Sequence, residues 1–167
     1  MQDKNIIVIV GYMLCGKTSF GKHLAKQLGY DFFDTDTELE NKYQISVNSL
    51  ISKDEKDFRN KESEILNWLL FSKDKAVIAT GGGLPCYNNN MQKIKELSYS
   101  IYLQADVDLI MARYSFSKRR RFLLEGKTHD ELQTYIEESL KQRESYYLLA
   151  DEIIDAKNIK LSKGKIQ

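Results

Sequence analysis

Proline occurs once in this 167-residue chain, at Pro85, and cysteine twice, at Cys15 and Cys86. A single proline leaves no Pro-rich linker. With no Gly-rich tract, internal repeat or low-complexity stretch either, the sequence offers no domain boundary. The expectation is one domain over residues 1–167, an ordinary size for one core. Two cysteines do not make a disulfide framework, and free thiols in a reducing compartment are expected instead. An excess of one charge is also lacking. The 25 basic and 24 acidic side chains leave a net charge of +1, not the basic surplus with which proteins usually meet nucleic-acid phosphates. No long apolar run is present. The first, Ile6–Val10, is too short for a signal h-region or a membrane span, and no cleavage site follows it. The expectation is a cytoplasmic protein, monomeric by default, with neither a membrane nor a nucleic acid as partner.

What is present is an alternation of short apolar runs with longer amphipathic stretches. Ile6–Val10 is a continuous β-branched run, as in a strand buried on both faces. Phe20, Leu24 and Leu28 recur at helical spacing, and Gly29 can end that helix. Short strands are expected at Asp31–Asp34, Ala76–Thr80, Ser100–Leu103 and Glu152–Ala156. A helix over Asp54–Phe71 carries Phe58, Ile65, Leu66 and Leu69 on one side, and another begins at Asp106. Thr128 and Glu131 have the spacing of a capping box, opening a helix that runs to about Leu149. Strands alternating with helices predict an α/β fold with a parallel sheet covered on both faces. Residues 114–127, basic and weakly periodic, read as a mobile loop.

The string Gly11-Tyr-Met-Leu-Cys-Gly16-Lys17-Thr18 has the spacing G-x-x-x-x-G-K-[ST]. It follows a buried strand and opens an amphipathic helix, which is the context a phosphate-binding loop requires. Backbone N–H groups of such a loop and of the helix N-terminus face an anion. The candidate nucleotide cradle is therefore Leu14, Cys15, Gly16, Lys17, Thr18 and Ser19. Lys17 is placed for the β- and γ-phosphates and the Thr18 hydroxyl for Mg²⁺.

Four further features have both a chemical and a plain structural reading. Asp34 and Asp36 follow the second strand, where open α/β sheets bind ligands. Two apart on extended chain they face one side; one could reach Mg²⁺ through water and the other an acceptor hydroxyl, or Asp36 could simply cap a helix starting at Thr37. Gly81-Gly82-Gly83 removes side chains where a ligand could approach the backbone, or is a flexible turn. Arg59 could pair with Glu62 at i,i+3. Arg143 shares a helical stripe with Leu132, Ile136, Leu140 and Tyr147, where it must meet an anion, a buried carboxylate or water. The run Lys118–Arg121 is a solvated or nucleic-acid-binding face, or a lid over ATP with one arginine on the transferring phosphoryl group.

Taken in order, these motifs resemble those of the shikimate kinase family: the phosphate loop, Asp34-Thr-Asp36, Phe58-Arg-Asn-Lys-Glu62, Gly81–Gly83, Arg121-Phe-Leu-Leu124 and Arg143-Glu-Ser-Tyr-Tyr147. The resemblance spans Ile6 to about Asp155. It implies a P-loop NTPase three-layer fold, with a five-stranded parallel sheet in the order 2-3-1-4-5, a substrate segment over about 34–62 and a lid over about 114–127. It implies ATP and shikimate as substrates, Mg²⁺ as cofactor, and shikimate 3-phosphate and ADP as products. By the same resemblance Thr18 and Asp34 serve the metal, and Lys17, Asp36 and Arg121 serve catalysis, with Arg121 reaching ATP from the lid. Asp36, Arg59, Gly82 and Arg143 bind shikimate. Leu14 and Gln44 stand where the family often has glycine, Phe122 replaces the lid proline, and Ser145 replaces a proline near Arg143. The alternatives are a gluconate or nucleoside monophosphate kinase of similar build, a nucleotide-binding regulator without kinase activity, and a nucleic-acid-binding module.

Overall fold

The computed structural model describes residues 5–116, 124 and 126–159. Most of the expected lid, with Lys118–Arg121 and Phe122, lies outside these residues. The strands are β1 (Ile6–Val10), β2 (Asp31–Asp34), β3 (Ala76–Ala79), β4 (Tyr99–Gln104) and β5 (Glu152–Asp155). They form one parallel sheet in the order β2-β3-β1-β4-β5, the order the resemblance implies. The most apolar strand takes the centre: Val8, Ile9 and Val10 of β1 have no exposed surface. All four residues of β3 are buried, so both faces of the sheet are covered there. At the margin, β5 exposes Glu152, Ile153 and Asp155.

Because every pairing is parallel, all strands end at the same edge, and the segments leaving them meet there. Helix α1 (Lys17–Leu28) follows β1 and ends at Gly29, whose φ of 68° and N–H bond to the Ala25 carbonyl close the last turn. It lies very close to the sheet at Gly21, where an added Cβ would sit 2.6 Å from the Phe32 ring and 3.0 Å from Ile9 Cδ1. Helix α2 (Thr35–Tyr43) follows β2 without a linker, and α3 (Val47–Lys53) continues to α4 (Glu55–Ser72). Asp54 is extended and caps α4 by accepting from the Asp57 N–H, so this helix starts one residue later than its periodicity suggests.

After β3 come a short 3₁₀ turn (Leu84–Cys86) and α5 (Asn90–Leu97). Helix α6 (Val107–Phe116) follows β4, and α7 (His129–Tyr147) leads to β5. Thr128 and Glu131 form the expected capping box at the start of α7. Residues 114–116, read from sequence as the start of a loop, are the last turn of α6.

Candidate active site

The phosphate loop leaves β1 at Gly11, whose φ is 144°; an added Cβ would lie 2.6 Å from the Leu103 carbonyl oxygen. Only glycine passes this point without moving β4. Lys17 is buried, and its ammonium donates to the carbonyls of Gly11 at 2.8 Å and Tyr12 at 2.7 Å. Leu14 has φ 66°, a left-handed conformation that costs a side-chain-bearing residue ~1–2 kcal/mol. Arg113, from the last turn of α6, donates through Nη1 to the Leu14 carbonyl at 3.1 Å and to the Cys15 carbonyl. Sequence reasoning missed Arg113. Its signal was slight: it is the one basic residue of α6, and a cation near a helix C-terminus is ordinary.

Asp34 ends β2 and faces the loop. Its Oδ2 accepts from the Thr18 hydroxyl at 2.8 Å. Its Oδ1 accepts from the N–H groups of Asp36 at 3.1 Å and Thr37 at 3.4 Å. The capping aspartate is therefore Asp34, not Asp36, because the helix begins at Thr35 rather than Thr37. Asp36 lies in the first helical turn, so the two carboxylates do not share one face of an extended strand. Both still line one cavity of about 500 Å³, together with the loop from Met13 to Phe20, Thr80, Gly81, Gly82 and Arg113. The Thr18 hydroxyl and Asp34 carboxylate are hard oxygen donors suited to Mg²⁺, which commonly takes one or two carboxylates plus phosphate oxygens and water. No larger cluster of His, Cys, Asp and Glu fit to hold a metal occurs among the described residues.

Arg59 and Arg143 stand outside that wall. The Arg59 guanidinium is stacked between rings, 5.0 Å from the centre of Phe58 and 4.1 Å from that of Tyr87. Its Nη1 donates to Glu62 at 2.6 Å and its Nη2 to Glu55 at 3.2 Å, so the expected i,i+3 pair is made. Its buried Nε has no hydrogen-bond partner among the described residues. The glycine triplet admits this arrangement. A Cβ on Gly83 would lie 2.6 Å from Arg59 Nη1, and one on Gly81 would lie 2.7 Å from Asp36 Oδ1 and 3.0 Å from Glu62 Oε1. Burial pushes the Glu62 carboxyl up to about 7, against the pull of Arg59. Arg143 is half-buried on α7 with its guanidinium 5.5 Å from the centre of the Tyr12 ring. Tyr12 in turn shares a hydrogen bond of 2.5 Å with Ser139, and the Tyr147 hydroxyl donates to the Gly82 carbonyl at 2.5 Å. These tyrosines tie α7 to the phosphate loop and the glycine triplet, which sequence spacing alone did not reveal.

Residues 13–165 match a family model described as shikimate kinase. The shikimate kinase of Parabacteroides distasonis is 34% identical over 154 residues, which cover 92% of this chain and 88% of the relative. The chain belongs to the shikimate kinase family. Among solved structures, the shikimate kinase from Bacteroides thetaiotaomicron superposes with a TM-score of 0.90 at 31% identity, covering 95% of this chain and 89% of that one. The Acinetobacter baumannii shikimate kinase, solved in complex with shikimate, gives a TM-score of 0.82 at 31% identity, with 98% and 87% covered. Two departures from the shikimate kinase pattern now have a structural description. Leu14 and Gln44, standing where glycine is usual, keep left-handed backbones with φ 66° and 55°.

Proposed function

We propose that this member of the shikimate kinase family transfers the γ-phosphoryl group of Mg-ATP to the 3-hydroxyl of shikimate, giving shikimate 3-phosphate and ADP. It would do so as a cytoplasmic monomer. The observation that carries the reading is one cavity that joins the phosphate loop and the Thr18–Asp34 pair to Asp36 and Gly82. Beside it is a buried arginine whose Nε lacks an acceptor among the described residues. Buried donors are rarely left so, and an incoming carboxylate supplies the missing acceptor.

In this reading the backbone from Leu14 to Ser19 cradles the phosphates, and Lys17 exchanges its loop carbonyls for phosphate oxygens. Thr18 and Asp34 hold Mg²⁺, which when bound neutralises charge on the phosphoryl oxygens. Arg59 and Arg143 hold the acceptor by its carboxylate, with the Gly82 backbone beside it. Asp36 orients the attacking hydroxyl and takes its proton as the oxygen–phosphorus bond forms and ADP leaves. Arg121, proposed from the resemblance to reach ATP, lies outside the described residues. Phosphoryl transfer asks mainly for such positioning and charge neutralisation.

The test is ADP release from Mg-ATP with shikimate, gluconate, a nucleoside monophosphate or no acceptor. Release that depends on shikimate supports the proposal. Release with gluconate alone, or without any acceptor, rejects the substrate assignment.

A further inference from the structure

The peptide groups of the phosphate loop are held from α6 by a residue that no motif includes. Arg113 Nη1 donates to the carbonyls of both Leu14 and Cys15. A trans peptide points its C=O and its following N–H in opposite directions. Fixing those two carbonyls therefore fixes the N–H groups of Cys15, which closes the loop on the Tyr12 carbonyl at 3.4 Å, and of Gly16, the residue at the N-terminal cap of α1. The guanidinium also packs directly on Gly16, where an added Cβ would lie 3.0 Å from Nη1. The residue between these points, Leu14, is left-handed although it carries a side chain. A loop so constrained relaxes unless something outside it holds the carbonyls in place.

We propose that Arg113 is a positioning residue for phosphate binding, a clamp on two carbonyls that keeps the loop in its binding shape while Leu14 is left-handed. This rests on the nucleotide reading of the loop. Such a clamp acts on the loop without direct contact between Arg113 and a nucleotide. If Arg113 acts through the loop, its value depends on the residue at position 14. Glycine there adopts the same backbone without strain and needs the clamp less.

The experiment is a double-mutant cycle with Arg113→Met and Leu14→Gly, read by calorimetric binding of tripolyphosphate, a probe with neither base nor sugar. Arg113→Met should weaken tripolyphosphate about tenfold in the unaltered chain and less than about threefold beside Leu14→Gly. Arg113→Lys, which keeps the charge but lacks the guanidinium fork, should fall close to Arg113→Met. It also serves as the test if Arg113→Met does not fold. An equal loss in both backgrounds, or full retention by Arg113→Lys, overturns the clamp and leaves a charge or contact effect. Unchanged tripolyphosphate binding with weaker ADP binding also overturns it. No binding of tripolyphosphate or ADP by the unaltered chain overturns the nucleotide reading, and the clamp with it.

Discussion

Glu62 is enclosed by charges from three helices. Arg59 and Glu55 lie with it on α4, Asp36 faces it from α2, and Arg143 acts on it from α7. With a folded value of about 7, raised by burial, it titrates where enzymes work. The sign follows from charge. An anionic acceptor on Arg59 adds negative charge beside Glu62 and favours its protonated form, so binding takes up a proton. The KM for shikimate should therefore rise between pH 6 and pH 8, by up to ~tenfold if occupancy shifts Glu62 by one unit. Glu62→Gln should flatten the rise, and a wild-type KM that is level across this range rejects the linkage. For stability the same group works in one direction. A carboxyl with a raised folded pKa binds more protons folded than unfolded. Its contribution is complete below about 4.5 and is lost as the pH climbs through about 7.

Gly83 offers a second check at this scale. Gly83→Ala would push on the Arg59 guanidinium, and should raise the KM for shikimate about tenfold or more with little change in Tm. A variant with unaltered KM would detach Arg59 from acceptor binding. The residues of the phosphate loop were legible in sequence because their spacing encodes a backbone path. Arg113 was not, because its partners are carbonyl oxygens, which every residue has. The capping alternative offered for Asp36 fell to Asp34 because side-chain hydrogen bonds to the Asp36 and Thr37 N–H groups, not periodicity, decide where this strand yields to a helix.

Among the elements, those with a continuous buried pattern were readable: β1, and the long helices α4 and α7. Short helices were harder. Of α3 only Leu50 is buried, and α5 buries Asn90, Met91 and Ile94. Helix α3 starts from a cap, with Ser46 accepting from the Ser49 N–H, rather than from an apolar stripe, and α5 buries Met91 and Ile94 on one side but is too short for that stripe to stand out in the sequence. Strand ends shifted by a residue, as at β4, which runs Tyr99–Gln104 where Ser100–Leu103 was expected. The α1–sheet contact makes a quantitative prediction. Gly21→Ala gains about 1 kcal/mol of helix propensity but forces a methyl against the Phe32 ring and Ile9, an overpacking cost of about 1–3 kcal/mol. The net expectation is a loss of ~1 kcal/mol in urea denaturation. A stabilised variant would mean that α1 lies farther from β1 and β2 than described. At the other end of the chain, Thr128→Ala removes one half of the α7 capping box and should cost about 1 kcal/mol by the same measurement. An unchanged midpoint would mean that the cap contributes nothing to the fold.

For the whole molecule, the order β2-β3-β1-β4-β5 was expected through a resemblance, whereas periodicity alone reached only a parallel α/β sheet. Strand order depends on which strands pair across long separations, and a single sequence does not state that. Ligand linkage tests the molecule as a unit: Mg-ADP at a hundred times its Kd should stabilise the fold by about 2.7 kcal/mol. A melting temperature indifferent to Mg-ADP would count against nucleotide binding by the folded chain.

The central position of β1 also bears on how the chain is made. Ile6 pairs with Ala76 and Ile7 with Tyr99. Of the five strands of this sheet, the one made earliest is thus the one whose two neighbours are made much later. At roughly 5–20 residues per second, it waits on the order of 5–20 s for β4. During that interval Ile6–Val10 presents an unpaired apolar edge to its surroundings. A nascent chain stalled before Tyr99 would carry an intact phosphate-loop sequence on a strand with one side open, a natural client for chaperones and a site for aggregation.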